Sequence, residues 1–541
     1  MKIYPLLIAL SLTAVSCSLD ENPKDGILKD ETYPNAKELY MNTVATLYNY
    51  IGGHEDGQGL QGTCRGIYDL QTFASDEAMI PTRGGDWFDG GIWQDLYTHD
   101  WDAGHEMINN SWLYLYKVIT LCNYSMEQLS LHANLISQAR YNEYISEIRA
   151  LRAIYYWYLL DLFANVPIIV IHDISMNDVL QSKRKEVFDF CVNELQAALP
   201  DLSYEHSNEA GDYYGRVTKP VAYFVLAKLM LNAEVYCDND WTDGVRPNGS
   251  DMEFKVADKT MNAWEATIYY CGMLSFMHYR LEDEYTNNFI VRNERSQENI
   301  WTIPMDKDLY SNQQQNIFRS YHYRHAAAYG FGGENGSCAT RRTLEIFGYG
   351  TPEQDKRFAY CYWANDVVDL DNKPIPDRTG KPLRYYPEEV EMEIIDPRFI
   401  ETAGARMKKY EIDKNATKEG RLMDNDIVLF RYADVLLMKA EAYLRNGDQA
   451  TGQNFFDNVR ARAEMPLREL TFENLLDERL LELCWEGWRR QDLIRFGQYE
   501  SLFDGDDIQE KVDEKDGHTT VFPIPSDALK GNLNFKQNPG Y

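Results

Sequence analysis

The run Gly84-Gly85-Asp86-Trp87-Phe88-Asp89-Gly90-Gly91 sets a large indole among glycines, where little local core is at hand to receive it. Upstream, Asp56, Gln58 and Arg65 supply polar groups; downstream, Phe289, Tyr310, Tyr321, Tyr323 and Tyr329 supply further rings. Rings next to Arg, Asp and Asn suit a non-covalent chemistry. The C–H face of a sugar stacks on a ring while orientable donors and acceptors meet its hydroxyls. Trp87 is therefore assigned to binding. For each of the other rings taken alone, packing against a neighbouring helix is at least as good a reading. Trp301, in Glu298-Asn-Ile-Trp-Thr-Ile-Pro304, reads as part of a buried strand.

Motifs for covalent chemistry are missing. The sequence holds no G-x-x-x-x-G-K loop, no G-x-S-x-G elbow and no H-E-x-x-H helix. His322 and His325 have no third ligand nearby in sequence and read as hydrogen-bonding surface residues. Asp238, Asp240 and Asp243 with Gly244 resemble a calcium loop only loosely, the glycine falling one place late with no terminal Glu, so no cofactor is expected, with bound calcium as the alternative. Among 85 acidic residues no spacing selects a hydrolytic pair. Of nine cysteines, Cys122, Cys191, Cys271 and Cys484 fall in apolar helical runs and read as small hydrophobes, which argues against a disulfide framework or a cysteine metal site.

The elements that must hold the rings are mostly helices. Apolar residues recur with a period of ~3.6 over Asn35 to Tyr50, Asn109 to Leu129, Ser137 to Phe163, Lys185 to Leu199 and Lys219 to Tyr236. The same holds for Asn262 to Phe276, Arg431 to Arg445, Thr451 to Ala463 and Thr471 to Trp488, where Thr471 is a natural N-cap. A small-x-x-Tyr spacing recurs at Ala153/Tyr156, Ala233/Tyr236 and Ala440/Tyr443. Ala266/Tyr270 and Gly452/Phe456 supply a second half, the pattern of tetratricopeptide repeats. The predicted fold is mainly α: a tetratricopeptide-like helical scaffold, a loop-rich ligand-binding half and few short strands. Long irregular stretches at 51–103, 237–261, 280–343 and 357–426 carry many of the tryptophans, and ordered loops of such length usually do something.

The N-terminus has Lys2, a short apolar run from Leu6 to Leu12, then Ala14-Val15-Ser16-Cys17. Residues 1–16 read as a cleaved lipoprotein signal and Cys17 as the lipidated residue, with acidic Asp20 and Glu21 close behind. No later stretch approaches the ~18 apolar residues of a spanning helix, so attachment to a membrane falls to Cys17. A net charge of −31 repels phosphate backbones and excludes nucleic acid as a partner. It also favours a neutral glycan over an acidic one, unless Arg319, Arg324, Arg341 and Arg342 form a local basic patch.

The C-terminal half carries, in order, Arg431-Tyr-Ala-Asp-Val-Leu-Leu-Met-Lys-Ala-Glu-Ala442, Asn458-Val-Arg-Ala-Arg-Ala463 and Glu478-Arg-Leu-Leu-Glu-Leu-Cys-Trp-Glu-Gly-Trp-Arg-Arg-Gln-Asp-Leu-Ile-Arg495. In these runs it resembles the SusD/RagB family of outer-membrane nutrient-binding lipoproteins. Phe522-Pro-Ile-Pro525 and Gln537-Asn-Pro-Gly-Tyr541 close the series. Cys17-Ser-Leu-Asp-Glu-Asn-Pro23, Ser75-Asp-Glu77 and Asn165-Val-Pro167 extend it over the chain. Most of this signature reads as scaffold; Arg479, Glu482 and Glu486, at i, i+3 and i+7, share a helix face, a spacing at which ion pairs can form.

The resemblance implies a single body over 18–541, divided at about 343/344 into an N-terminal part with the binding loops and a C-terminal signature part. It implies a shallow glycan site, a SusC-like TonB-dependent transporter as partner with this protein as its lid, and an outer-membrane position facing the exterior. Arg65 and Trp87, on either side of Ser75-Asp-Glu77, are the best-placed matches to family binding residues. Asp56, Phe289, Tyr310, Tyr321 and Tyr329 complete the candidate set. The leading reading is non-catalytic capture of oligosaccharide or polysaccharide. Capture of peptides or another non-sugar nutrient is the alternative, and glycoside hydrolysis the third.

Overall fold

The computed structural model describes residues 33–53, 57–310, 312–500 and 516–541; Cys17 and Asp56 lie outside these. Apolar stripes at helical spacing fold as helices α1 Glu106–Leu131, α2 Gln138–Phe163, α3 Arg184–Ala198, α4 Lys219–Leu231, α5 Ala263–Phe276, α6 Tyr432–Arg445, α7 Gln449–Arg462, α8 Phe472–Leu483 and α9 Arg489–Phe496. Caps fall where side-chain acceptors stand: Ser137 accepts from Arg140 N, Asn262 forms a reciprocal box with Glu265, and Thr471 accepts from Asn474 N.

Two predicted helices are shorter in the structure. The run from Lys219 breaks at Asn232, whose side chain turns back to the Lys228 carbonyl at 2.9 Å. The run from Thr471 stops at Leu483 because Cys484 is extended and Trp485 takes φ 63, with the Trp485 N–H donated to the buried Glu77 carboxylate.

Consecutive helices pack as pairs: α1 on α2, α2 on α3, α4 on α5, α5 on α6, α6 on α7. The small-large pattern explains the closeness of the last pair. A Cβ on Gly452 would sit 2.9 Å from the Ala440 carbonyl oxygen and 3.2 Å from Tyr443 Cβ, so glycine sets how near α7 comes to α6. Ala153, Tyr156, Ala233, Tyr236, Ala266 and Tyr270 are likewise buried.

Arg479, Glu482 and Glu486 do not pair with one another, contrary to the spacing argument. Arg479 faces Asp434 and Asp492; Glu482 takes Arg357, Arg431 and Arg462; Glu486 takes Arg431 and Lys409. The reason is burial. Inside the body the guanidinium groups of other elements arrive on each carboxylate, and the helix carrying Glu482 ends before Glu486. These arginines hold the Glu482 and Asp492 carboxyls far below the usual carboxylate range, against burial that would raise them.

Strands are few and short. The longest pair, Asn299–Ile303 with Ile427–Arg431, is antiparallel and fully buried, with Trp301 donating Nε1–H to the Gly215 carbonyl at 3.0 Å. One main core draws on residues from Tyr33 to Ile524, on both sides of 343/344. All eight cysteines of the described residues are free, and six of them are buried. Among the described residues no helix is long and apolar enough to cross a membrane.

Candidate functional site

Two short ladders carry the glycine-rich run out of the core. Ala78–Met79 pairs with Cys338–Ala339, and Thr82–Arg83 pairs in parallel with Glu393–Ile394. Beyond Arg83 the chain needs left-handed backbone at Gly84, Gly85, Gly90 and Gly91, which only glycine adopts without strain. Trp87 and Asp89 take it too, at φ 64 and φ 43. Such a conformation is costly for a bulky residue and persists because its neighbours enforce it. The Trp87 Nε1–H donates to the Glu334 carbonyl at 2.9 Å, its own carbonyl accepts from Gln94 Nε2 at 3.0 Å, and its ring meets Trp93 edge-on at 5.6 Å. Gly336 makes room, since a Cβ there would lie 2.6 Å from the indole.

Arg83 anchors the base. Its buried guanidinium donates to the carbonyls of Gly336, Ile400 and Ala403, and burial, with no carboxylate partner among the described residues, lowers its pKa to about 9. The loops that meet the Trp87 run are thereby tied to it.

The half-buried Trp87 ring borders an open depression of about 490 Å³, together with Arg65, Asp86, Asp89, Trp93, Tyr323 and Glu334. Arg65, also left-handed at φ 58, pairs with Asp89 at 3.0 Å and Glu106 at 3.1 Å and lies 5.9 Å from the Trp93 ring. Asp89 additionally accepts from Trp93 Nε1 at 3.0 Å. Tyr323 is 39% exposed across the depression, its hydroxyl pKa raised by partial burial and the nearby Asp86 and Glu401 carboxylates. Burial also raises the Glu334 carboxyl. The arrangement offers ring surface, fixed carboxylates and one guanidinium already neutralised, in an open and wet setting.

Of the sequence candidates, the structure brings Arg65 and Trp87 together. Tyr310 stands elsewhere, on a hollow of about 220 Å³ with Tyr48, Tyr214, Pro304 and Leu309. Phe289, Tyr321 and Tyr329 are corrected from binding rings to core. Phe289 packs edge-on to Tyr410 at 5.3 Å with Lys409 over its face. Tyr321 is fully buried, stacked on His325 and accepting from Trp363 Nε1 at 2.9 Å. Tyr329 donates to the Val368 carbonyl at 2.7 Å. A ring packed on both sides has no face left for a ligand. His322 and His325 are also buried, not at the surface; His322 Nε2 bonds Glu401 and His325 Nδ1 bonds Tyr385, and burial lowers their pKa values to about 4 and about 3. Arg319 does not contribute to a basic patch, being buried against Asp69 at 2.6 Å.

Tyr323, Trp93, Asp86, Asp89 and Glu334 were not singled out as site residues. Tyr323, Asp86 and Asp89 had a signal, an aromatic-rich run and a glycine-rich run respectively; Glu334 had only the glycines flanking it. At the loosely calcium-like loop the aspartates cap their own turns, Asp238 accepting from Asp240 N and Asp243 from Val245 N. Among the described residues no cluster is placed to hold a metal.

Two family models match this chain: one described as the SusD family over residues 297–541, and one described as starch-binding, associating with outer membrane, over residues 73–231. The chain is SusD-like. Starch-binding protein SusD of Bacteroides thetaiotaomicron is 25% identical, with 99% of this chain and 98% of that protein aligned. SusD-like protein P25 of Formosa agariphila is 23% identical over 92% of this chain and 90% of its own length. Solved SusD-like structures share the fold. A surface glycan-binding protein A from Bacteroides thetaiotaomicron, solved with laminarihexaose, superposes with a TM-score of 0.71 at 19% identity, covering 93% of this chain and 99% of its own. A laminarin-binding SusD-like protein does so with 0.69 at 19% identity, covering 94% and 100%.

Proposed function

We propose that the protein is a non-catalytic glycan binder that captures oligosaccharide or polysaccharide on the Trp87 depression. The observation that carries this is the Trp87 indole, held at φ 64 with part of its surface open, opposite Tyr323 and beside a ready set of polar groups. Likeness to the SusD family and the starch-, laminarin- and glycan-binding names of its relatives support the same reading. Asp86, Asp89 and Glu334 outnumber Arg65, whose charge is taken by Asp89 and Glu106, so the glycan is a neutral one. An open platform desolvates few atoms and gives affinity on the order of micromolar to millimolar.

Delivery rests on the family resemblance and the N-terminal run. Cys17, lipidated after removal of residues 1–16, tethers the protein to the outer face of the outer membrane, and a SusC-like TonB-dependent transporter takes the glycan from beneath it. Tethering raises effective concentration at the transporter mouth without a catalytic step.

The test is affinity electrophoresis of the protein lacking residues 1–17 through gels containing amylopectin, laminarin, arabinoxylan, galactomannan or acidic polysaccharides, with each mixture assayed for released sugars. Retardation by a neutral polysaccharide without products is expected. Product formation would overturn the non-catalytic reading, and retardation by acidic glycans alone would overturn the neutral one.

A further inference from the structure

A second hollow lies directly behind Arg65. It measures about 280 Å³ and is lined by Tyr50, Gly57, Gln58, Asn110, Leu113 and Lys117 among others. Hydrogen bonds place it against the wall of the first depression: Asn110 Nδ2 donates to the Arg65 carbonyl at 3.1 Å, and Gln58 Nε2 donates to the Cys64 carbonyl at 3.0 Å. The helix α1 links the two. Glu106, which holds Arg65 from the first side, and Asn110, Leu113 and Lys117, which line the second, fall at i, i+4, i+7 and i+11 and so share one helix face. That face runs about 16 Å at the helical rise, more than one sugar ring covers.

The chemistry of the second lobe complements the first. Leu113 is 58% exposed, an apolar patch for a ring's C–H face. Lys117 Nζ stands 4.7 Å over the Tyr50 ring and, among the described residues, pairs with no carboxylate; an ammonium so placed can donate to sugar hydroxyls. Between the lobes stands Arg65, its side chain 39% exposed and its guanidinium held by Asp89 and Glu106, so an extended chain that reaches both lobes passes over it.

We propose that the binding surface is a two-lobed groove, with a second subsite formed by Asn110, Leu113 and Lys117, and that the ligand is a neutral oligomer long enough to reach both lobes across Arg65. This rests on the glycan-binding reading above. It makes affinity depend on chain length, which a single ring-lined platform does not.

The experiment uses size-fractionated oligomers of whichever panel polysaccharide retards the protein, titrated calorimetrically into wild type, Trp87→Ala and the double variant Leu113→Ser/Lys117→Ala. Both side chains of the double variant are exposed, so the fold does not depend on them. In wild type, spanning oligomers should bind about tenfold tighter than the shortest that bind; the double variant should lose that gain and keep wild-type affinity for the short ones. If the gain survives in the double variant, or is missing in wild type while Trp87→Ala still abolishes binding, the second subsite is wrong and the glycan reading stands. If no polysaccharide retards the wild type, both fall together.

Discussion

Trp87 holds a backbone conformation that costs a bulky residue of order 1–3 kcal/mol unless its surroundings enforce it. The Glu334 carbonyl, Gln94 and Trp93 supply that enforcement. Its partial exposure was legible because glycine neighbours announce that a ring has little local core. The roles of Phe289, Tyr321 and Tyr329 were not, because what buries each comes from afar: Tyr410, Trp363 and the Val368 carbonyl. Sequence neighbourhood describes exposure only when the partners are local. Glu77, part of the Ser75-Asp-Glu77 motif, shows the same in its titration. Burial raises its carboxyl from 4.5 to about 8, while Trp485 N–H bonds one oxygen and the other has no hydrogen-bond partner among the described residues. The folded state therefore keeps a proton that the unfolded chain releases, and this contribution to stability is lost as pH rises from about 4.5 to about 8. Asp426, raised to about 7 by burial, acts in the same direction. Denaturant titrations at pH 5 and pH 8 should show a shallower loss of stability in Glu77→Gln than in wild type; an equal loss would contradict the assignment.

At the scale of elements, helix positions were legible and helix ends were not. Period and caps are local, so α2, α5 and α6 fall within a residue or so of their expected bounds. The end of α8 is set by Glu77, 408 positions away in sequence, and no local signal carries that. The ion pairs of Arg479, Glu482 and Glu486 fail the spacing argument for the same reason: in a buried network the partners come from other elements. Gly452 was legible as the small residue of a repeat, and the structure gives it a distance. A valine there would put its Cβ 2.8 Å from Leu470 and 2.9 Å from the Ala440 carbonyl, so α6 and α7 must separate. Gly452→Val should lower unfolding free energy by about 1–3 kcal/mol. Because α6 and α7 carry none of the proposed binding residues, its glycan affinity at temperatures where it stays folded should match wild type. A large affinity loss in the folded variant would move the site toward the α6–α7 pair.

For the whole molecule, a helical stack carries a loop cluster whose tip is the glycine-rich run around Trp87. The family likeness and the mainly helical architecture were legible because both rest on motifs spread along the chain. The depression was only partly so: Glu334, 247 residues from Trp87 in sequence, joins it through ladders and buried arginines that no local pattern encodes. The excess of acid over base extends from the chain to the depression, where Asp86, Asp89 and Glu334 face one paired arginine, and this supports the proposal of a neutral glycan. The central claim is that the Trp87 ring is the platform on which that glycan sits. The most direct measurement is a calorimetric titration of the retarding neutral polysaccharide into wild type and Trp87→Ala, with thermal unfolding of both recorded alongside. Binding that falls at least tenfold in Trp87→Ala while the two unfold within a few degrees of each other is the predicted result. Undiminished binding by a folded Trp87→Ala would contradict it and return Trp87 to the scaffold.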